Sequence, residues 1–542
     1  MSALTSDQTI GTPPDQAVFL QPNTKIEPLV CGWYAWSHLL SPLQHAMNVA
    51  YRHLPLLKSF LTNPHTHIAA AQDPALFGGP FVNLTMNEIP LVRQLVSDTQ
   101  QRCAPLILLA EDFKKLDVRL QEVGRGYCLQ ELYSRAPDSL SGLVEFLYDL
   151  NCHPRLRVHE ELLYGEDPAS DTYEVMLTRM PEEERPFFMS TPRLKVPGNI
   201  LFKMHISDPR LDRLASMRTS AASFSETASQ FSIPKEQVPE FRSFFTASPP
   251  TRHSCEYFGE GVRIRYFGHA CVLIQTKRTS ILIDPMLACD TDKADGRLTF
   301  LDLPTYLDYV VLSHNHQDHC VPEMLLQLRH KIGQVIVPRN NSGCAADPSM
   351  RLMLNQMGIF RVNELSPFDE IAFPDGKITS LPFPGEHVDL DIHSRHGIHI
   401  DTKGRRFAFL ADSDGWDAAL FCKITRRLAQ KLDALFVGME CHGAPLTWLY
   451  GPLLTKSISR RDDESRRMSG LNGDRAWKVL ASFRVSRVFV YAMGQEPWLR
   501  YIMGLQYTPD SVQISEVQGF LERCTNAGIP CENLSISKEI EF

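Results

Sequence analysis

Leu312-Ser313-His314-Asn315-His316-Gln317-Asp318-His319 is the stretch that decides the fold. It reads His-x-His-x-Asp-His and follows directly on the apolar run Tyr309-Val310-Val311-Leu312. A strand ending in such a loop aims imidazoles and a carboxylate at one point. Ligand-type side chains packed this closely suit a two-metal centre. On this reading His314 and His316 serve one ion, and Asp318 and His319 serve the other. A polar loop rich in histidine by chance is the plain alternative. The parts that flank the loop argue against it.

Upstream, Tyr266-Phe267-Gly268-His269-Ala270-Cys271-Val272-Leu273-Ile274 and then Ile281-Leu282-Ile283-Asp284-Pro285 read as an opening hairpin. Downstream come Gly385-Glu386-His387 and then Phe409-Leu410-Ala411-Asp412. In this order, from about Arg263 onward, the series resembles the metallo-β-lactamase superfamily. The resemblance implies an αββα sandwich with its site at strand ends. It makes Asp284 the structural aspartate behind the metal loop and Asp412 the bridge between two metals.

Two departures from the hydrolase pattern matter more than the matches. At the third motif Glu386 and His387 are adjacent, where the superfamily normally supplies a His. Neighbours in an extended segment point to opposite sides, so one of the pair is expected to ligate. The strand Arg487-Val488-Phe489-Val490-Tyr491 is followed by Ala492-Met493-Gly494, with no fifth-motif His. A carboxylate-enriched, ligand-poor dimetal site suits iron and oxygen better than zinc and water.

With these departures the chain is similar to a narrower family, the diiron β-hydroxylases of nonribosomal peptide and antibiotic biosynthesis. That resemblance covers nearly the whole chain. Ile26-Glu27-Pro28-Leu29-Val30-Cys31-Gly32-Trp33-Tyr34-Ala35-Trp36-Ser37-His38-Leu39 resembles the family's opening segment. The resemblance implies Glu386 as the third-motif ligand. The implied ligand set is therefore His314, His316, Asp318, His319, Glu386 and Asp412. It further implies two iron ions, O2 as co-substrate and an external electron donor. The implied substrate is an amino acid held as a thioester on the peptidyl carrier domain of a nonribosomal peptide synthetase, hydroxylated at its β-carbon. Glu440 and His442, which end the strand-like run 432–439, are further candidates to ligate or to orient a ligand. Asp284 and His387 complete that supporting set. The rival reading is a dizinc hydrolase of the same fold, a thioesterase or lactonase. His387 in place of Glu386 as ligand would favour it.

At 542 residues the chain is too long for one ordinary domain. Hydrophobic residues make up 43% and charged residues 22%, the balance of a globular protein with large cores. No apolar run approaches the length of a membrane span. The start, Met1-Ser2-Ala3-Leu4-Thr5-Ser6-Asp7, has neither a basic nor an apolar signal region, so a cytoplasmic location is expected. The 13 cysteines are odd in number and lack a CxxC pair, which argues against a disulfide framework or a structural zinc site. Cys320 and Cys441 read as buried small residues. The net charge of −8 gives nucleic-acid binding no support. Arg460, Arg461, Arg466 and Arg467 form one candidate basic patch for an acidic carrier, although Asp462, Asp463 and Glu464 interleave with them.

The fold class read from these features is α/β, an αββα metal domain preceded by an α+β domain. Residues 1–22 read as a flexible arm and 23–245 as a docking and dimerising domain, with a homodimer expected. Residues 246–255 read as a linker, marked by Thr246-Ala247-Ser248-Pro249-Pro250-Thr251, and 256–542 as the catalytic domain. Residues 41–54 have helical spacing with Pro55 as terminator, and 139–150 also read as helical. His269 reads as a packed or supporting histidine. His393, His396 and His399 read as surface or strand histidines. Trp33, Tyr34 and Trp36 read as core anchors. Trp448, Tyr450 and Trp498 are read as core first and tunnel lining second.

Overall fold

The computed structural model describes residues 17–166, 168–180, 184–251, 255–291 and 295–542. The strands Val272–Gln275 and Ser280–Ile283 are buried at every position, as strands covered on both faces must be. They lie in a seven-stranded sheet that runs Val362–Leu365, Ile332–Pro338, Leu307–Val311, Ser280–Ile283, Val272–Gln275, Arg263–Tyr266, Lys538–Glu541. A second seven-stranded sheet runs Glu370–Phe373, Gly376–Leu381, Gly397–Thr402, Arg405–Phe409, Ala434–Gly438, Val488–Tyr491, Cys531–Asn533. Ile264, Ile283 and Val311 meet Phe407, Phe436 and Phe489 in one core between the sheets. The helices Ala418–Leu428, Gly473–Ser482 and Val512–Asn526 cover the second sheet over a separate core that includes Phe421, Val479 and Phe520. This is the expected αββα sandwich.

The parallel strands put their loops at one end of the sandwich. Leu307–Val311 lies parallel to both Ser280–Ile283 and Ile332–Pro338. Arg405–Phe409, Ala434–Gly438 and Val488–Tyr491 are parallel in turn. The residues that follow Ile283, Val311, Phe409, Gly438 and Tyr491 therefore gather at one rim.

The first domain has its own four-stranded antiparallel sheet, ordered Trp33–Tyr34, Thr24–Val30, Tyr173–Arg179, Asn199–Lys203. Two long helices, Ile89–Arg102 and Ala104–Val123, pack on the helices Leu54–Thr62 and Pro42–Asn48 respectively. Its core is continuous with the outer face of the first sandwich sheet. Trp33, Trp36 and Phe188 belong to the same apolar cluster as Leu282, Val310 and Leu325. No helix among the described residues is long and apolar enough to cross a membrane.

Four expectations change. The arm ends earlier than residue 22, because Ala17–Leu20 pairs with Ala222–Ser223 and Phe245–Thr246. Residues 1–16 of the arm lie outside the described residues. The same sheet takes Thr246 out of the expected linker, and residues 252–254 of that linker also lie outside the described residues. Helix does not stop at Pro55. Pro42–Asn48 passes through a wide turn, Val49–His53, into Leu54–Thr62. In that turn the Leu54 N–H reaches back five residues to Val49 O. The opened turn makes room for a proline ring that a regular helix would reject. Residues 139–150 hold a hairpin in place of a helix, Val144–Tyr148 against Pro154–Val158. There Val144 and Phe146 alternate inward, and the strand period prevails over the helical one.

Candidate metal centre

His314, His316, Asp318 and His319 all sit on the loop after Leu307–Val311, each at most 5% exposed. Backbone and side-chain bonds hold the loop in place. Asp284, which follows the neighbouring strand, accepts from Ser313 N at 2.7 Å, from Ser313 Oγ at 2.6 Å and from His319 Nδ1 at 2.8 Å. Its backbone pays a local strain, with φ at +39°. The bond to Nδ1 turns His319 Nε2 toward the cavity, where Asp412 Oδ2 lies 2.9 Å away and Asp318 Oδ2 3.8 Å. A carboxylate behind an imidazole in this way fixes both its tautomer and its aim. His396, read as a surface or strand histidine, is buried just before the strand Gly397–Thr402. Its N–H donates to Ser313 O at 2.8 Å and its ring lies 3.1 Å from Leu312 O, so it pins the loop to the second sheet.

On the other side of the cavity, Glu386 Oε1 lies 2.5 Å from His316 Nδ1 and 3.9 Å from His314 Nε2. Asp412 Oδ2 is 3.6 Å from His314 Nε2 and so stands between the two histidine groups. His316 Nε2 meets the Tyr450 hydroxyl at 3.1 Å. His387 does not point away from this cluster as adjacency in an extended strand predicts. Its ring stacks on His316 at 4.4 Å, and its metal-type nitrogen groups with those of His314 and His316. The chain is bent here. His387 N–H bonds to Gly385 O, and Val388 and Asp389 adopt left-handed φ. Both side chains therefore reach the site.

His269 also reaches it. Its Nε2 is 3.1 Å from Asp318 Oδ2, and it forms a ligand-type group with Asp318 and His319. Glu440 lines the same cavity as Asp318, Glu386 and Asp412. His442 does not. It is exposed, and only its carbonyl is engaged, by Gln513. The chain leaves the strand at Gly438, so strand alternation no longer relates residues 440 and 442. Trp448 lines the cavity, whereas Trp498 is buried against Gly268 and Arg297 away from it. Cys320 is fully buried, and neither it nor Cys441 belongs to a ligand-type group among the described residues.

Charge in this pocket is finely divided. Burial, reinforced by His319 and His316, pushes His314 well below the usual imidazole range. Burial likewise takes His316 down to about 4. His319 goes the other way, because Asp412 and Asp318 outweigh its burial. Burial, with Asp412 and Asp318 close by, raises the Glu386 carboxyl well above the usual range. Glu440 is raised by burial and by Glu386 and Asp412. Several acids and neutral imidazoles facing one dry cavity form a site suited to cations.

Comparison with known proteins separates the sandwich from its many relatives. Residues 19–249 match the diiron non-heme β-hydroxylase N-terminal domain, and residues 263–387 match the β-lactamase superfamily domain. The 4-amino-L-phenylalanyl-[CmlP-peptidyl-carrier-protein] 3-hydroxylase of Streptomyces venezuelae is 30% identical over 96% of this chain and 99% of its own. This chain belongs to the diiron non-heme β-hydroxylase family. The crystal structure of CmlA, a diiron β-hydroxylase from Streptomyces venezuelae, superposes with a TM-score of 0.91 at 29% identity. The match covers 97% of this chain and all of that one. A mutant of the same CmlA hydroxylase gives 0.89 at 30% identity, with the same coverage.

The donor set of this β-hydroxylase family member fits metal. Nε2 of His314 and Oδ1 of Asp412 are buried and meet no hydrogen-bond partner among the described residues, and Nε2 of His319 faces the Asp412 carboxylate at 2.9 Å. Orphaned polar atoms in a closed site call for a ligand. The mixed carboxylate and imidazole composition suits iron. Sequence reasoning gave His269 only a packed or supporting role, and put neither His396 nor Tyr450 at the metal loop. Only His269 had a local signal, since it lies in the hairpin motif that also holds Asp284.

The candidate basic patch is half consumed by the fold. Arg466 donates to Val388 O, and Arg467 pairs with Glu464 and donates to Gly443 O. Arg460 and Arg461 remain on the short helix Arg460–Ser465.

Proposed function

We propose that the protein hydroxylates the β-carbon of an amino acid held as a thioester on the peptidyl carrier domain of a nonribosomal peptide synthetase. His314, His316 and Glu386 would hold one iron, Asp318 and His319 the other, and Asp412 would bridge them. When bound, the iron pair supplies the O2 chemistry that inserts one oxygen atom into the β-carbon–hydrogen bond, with two electrons from an external donor. The chain's own residues do the positioning. Asp284 fixes the aim of His319, Tyr450 holds the far nitrogen of His316, and His269 braces Asp318. The protein's part is to hold the acyl group against the metal-binding residues.

The observation that carries this reading is Glu386 standing in the cavity wall beside Asp318 and Asp412. His387 reaches the same site, its ring stacked on His316 and its Nδ1 3.4 Å from Arg395, so Glu386→Ala and His387→Ala are what separate the two. The absence of a histidine after Val488–Tyr491 supports the same conclusion over the dizinc alternative. Catalysis by residues 256–542, carrier docking by residues 23–245 and a homodimeric assembly are part of the proposal. A cytoplasmic location also belongs to it, supported by thirteen cysteines, odd in number and with no CxxC pair. Metal analysis of aerobically purified protein tests the reading. Iron with an oxo-bridged diferric absorption band is expected. Zinc as the sole active metal would overturn it.

A further inference from the structure

A cleft of about 800 Å³ opens beside the metal cavity, between the first domain and the short helix Leu446–Tyr450. Its walls mix apolar groups such as Phe187 and Met189 with polar ones such as Asn63, Ser190 and Thr447. A thin partition separates it from the metals. Trp448 lines both spaces. The Trp448 indole N–H donates to Gly78 O at 2.9 Å, and a Cβ on Gly504 would come within 3.0 Å of that ring. Gly78 faces the cleft and Gly504 the metal cavity, and their backbones are too close for a side chain on Gly78. One indole ring and two glycine backbones thus form part of the wall between the cleft and the metal cavity.

Arg52 lines this cleft and has no acid to neutralise it. Its guanidinium donates to Trp448 O at 2.7 Å and Leu449 O at 3.0 Å and contacts Met189 Sδ at 2.8 Å. Among the described residues no carboxylate lies within ion-pair distance of it. Burial pushes it down only to about 10, so it stays charged at neutral pH. Carbonyl oxygens orient a guanidinium without cancelling its charge. With both Nη2 hydrogens given to carbonyls and one Nη1 hydrogen to sulfur, the Nε–H and one Nη1–H of Arg52 remain to meet an anion.

Resting on the carrier-thioester reading above, we propose that this cleft seats the phosphopantetheine arm of the carrier, with Arg52 binding its phosphodiester and Trp448 forming the wall the thioester must pass. The mixed lining suits an arm that alternates amides with aliphatic carbon. The charge of Arg52 suits the arm's single anion. Continuity through Trp448 leads the acyl end toward the metals.

The test measures binding, not turnover, so its outcome is separate from that of the hydroxylase reading. The full chain is titrated with 4′-phosphopantetheine, with pantetheine and with inorganic phosphate. The wild type should bind 4′-phosphopantetheine about tenfold or more tightly than pantetheine, as a charge-assisted phosphate contact implies. Arg52→Gln should erase that difference while leaving pantetheine binding unchanged, and Arg52→Lys should retain part of it. Equal affinity of the wild type for both arms, or an unchanged preference in Arg52→Gln, would overturn the proposal. So would inorganic phosphate binding as tightly as 4′-phosphopantetheine, since Arg52 would then be a free-anion site. If Arg52→Gln is poorly folded, retention of part or all of the preference by Arg52→Lys counts for the anion contact, and its complete loss in Arg52→Lys counts against it.

Discussion

The Tyr34 hydroxyl donates a 2.8 Å hydrogen bond to Glu323 Oε2, joining the first domain to the helix that follows the metal loop. Arg185 reaches the same oxygen at 2.7 Å and Glu27 at 2.9 Å, and stacks 3.4 Å above the Tyr501 ring. Three residues on from Tyr34, Ser37 Oγ donates to Asn315 O inside the metal loop. The segment 26–39 is therefore a buttress for the metal site as well as core. Removing one member of a buried ion network leaves the others uncompensated. Glu323→Ala should cost about 3–5 kcal/mol by denaturant unfolding, and Tyr34→Phe about 1 kcal/mol. Wild-type stability in Glu323→Ala would mean the network is not what joins the domains.

Glu386→Ala should lose hydroxylation and iron, whereas His387→Ala should keep a measurable cluster. Both side chains face the site, so geometry alone does not separate them, and the variants do. Iron content by elemental analysis is the readout. If His387→Ala loses the iron and Glu386→Ala keeps it, the assignment is reversed and the hydrolase reading gains.

Asp284→Ala removes the acceptor for Ser313 N, Ser313 Oγ and His319 Nδ1 together. Iron affinity should fall by about 10–100-fold, the usual effect of losing the partner behind a metal-bound histidine. Competition against a chelator reads this directly. Unchanged affinity would show that the loop holds its own shape.

Gly438→Ala is expected to disturb the bridging aspartate without touching it chemically. A Cβ there would stand 2.5 Å from Ala411 O and 2.9 Å from Asp412 Oδ1. Overpacking of this kind costs about 1–3 kcal/mol. Reduced iron content in a folded protein is the predicted result, and a full complement of iron would show that the strand yields.

Much of the site was legible because its parts are local. Four candidate ligands lie on one loop, and Asp284 and Asp412 follow apolar strands whose ends topology brings to one rim. What was missed depends on chain geometry that residue spacing does not report. The bend after Gly385 sends His387 inward, and the exit from the strand at Gly438 sends His442 outward. In the first domain the wide turn before Pro55 and the hairpin at 144–158 are set by tertiary packing. His396 and Tyr450 reach the loop from distant segments, so no local pattern marks them.

The central claim is best tested on the loaded carrier itself. Chemically reduced protein is mixed with O2 and an aminoacyl-loaded carrier domain, first with the 4-amino-L-phenylalanyl group named for the Streptomyces venezuelae relative, then with other aminoacyl groups, and the intact carrier is weighed by mass spectrometry. The account predicts a gain of one oxygen atom on the carrier-bound acyl group and little reaction with the free amino acid. Loss of the acyl group by hydrolysis, or equal turnover of the free amino acid, would contradict it.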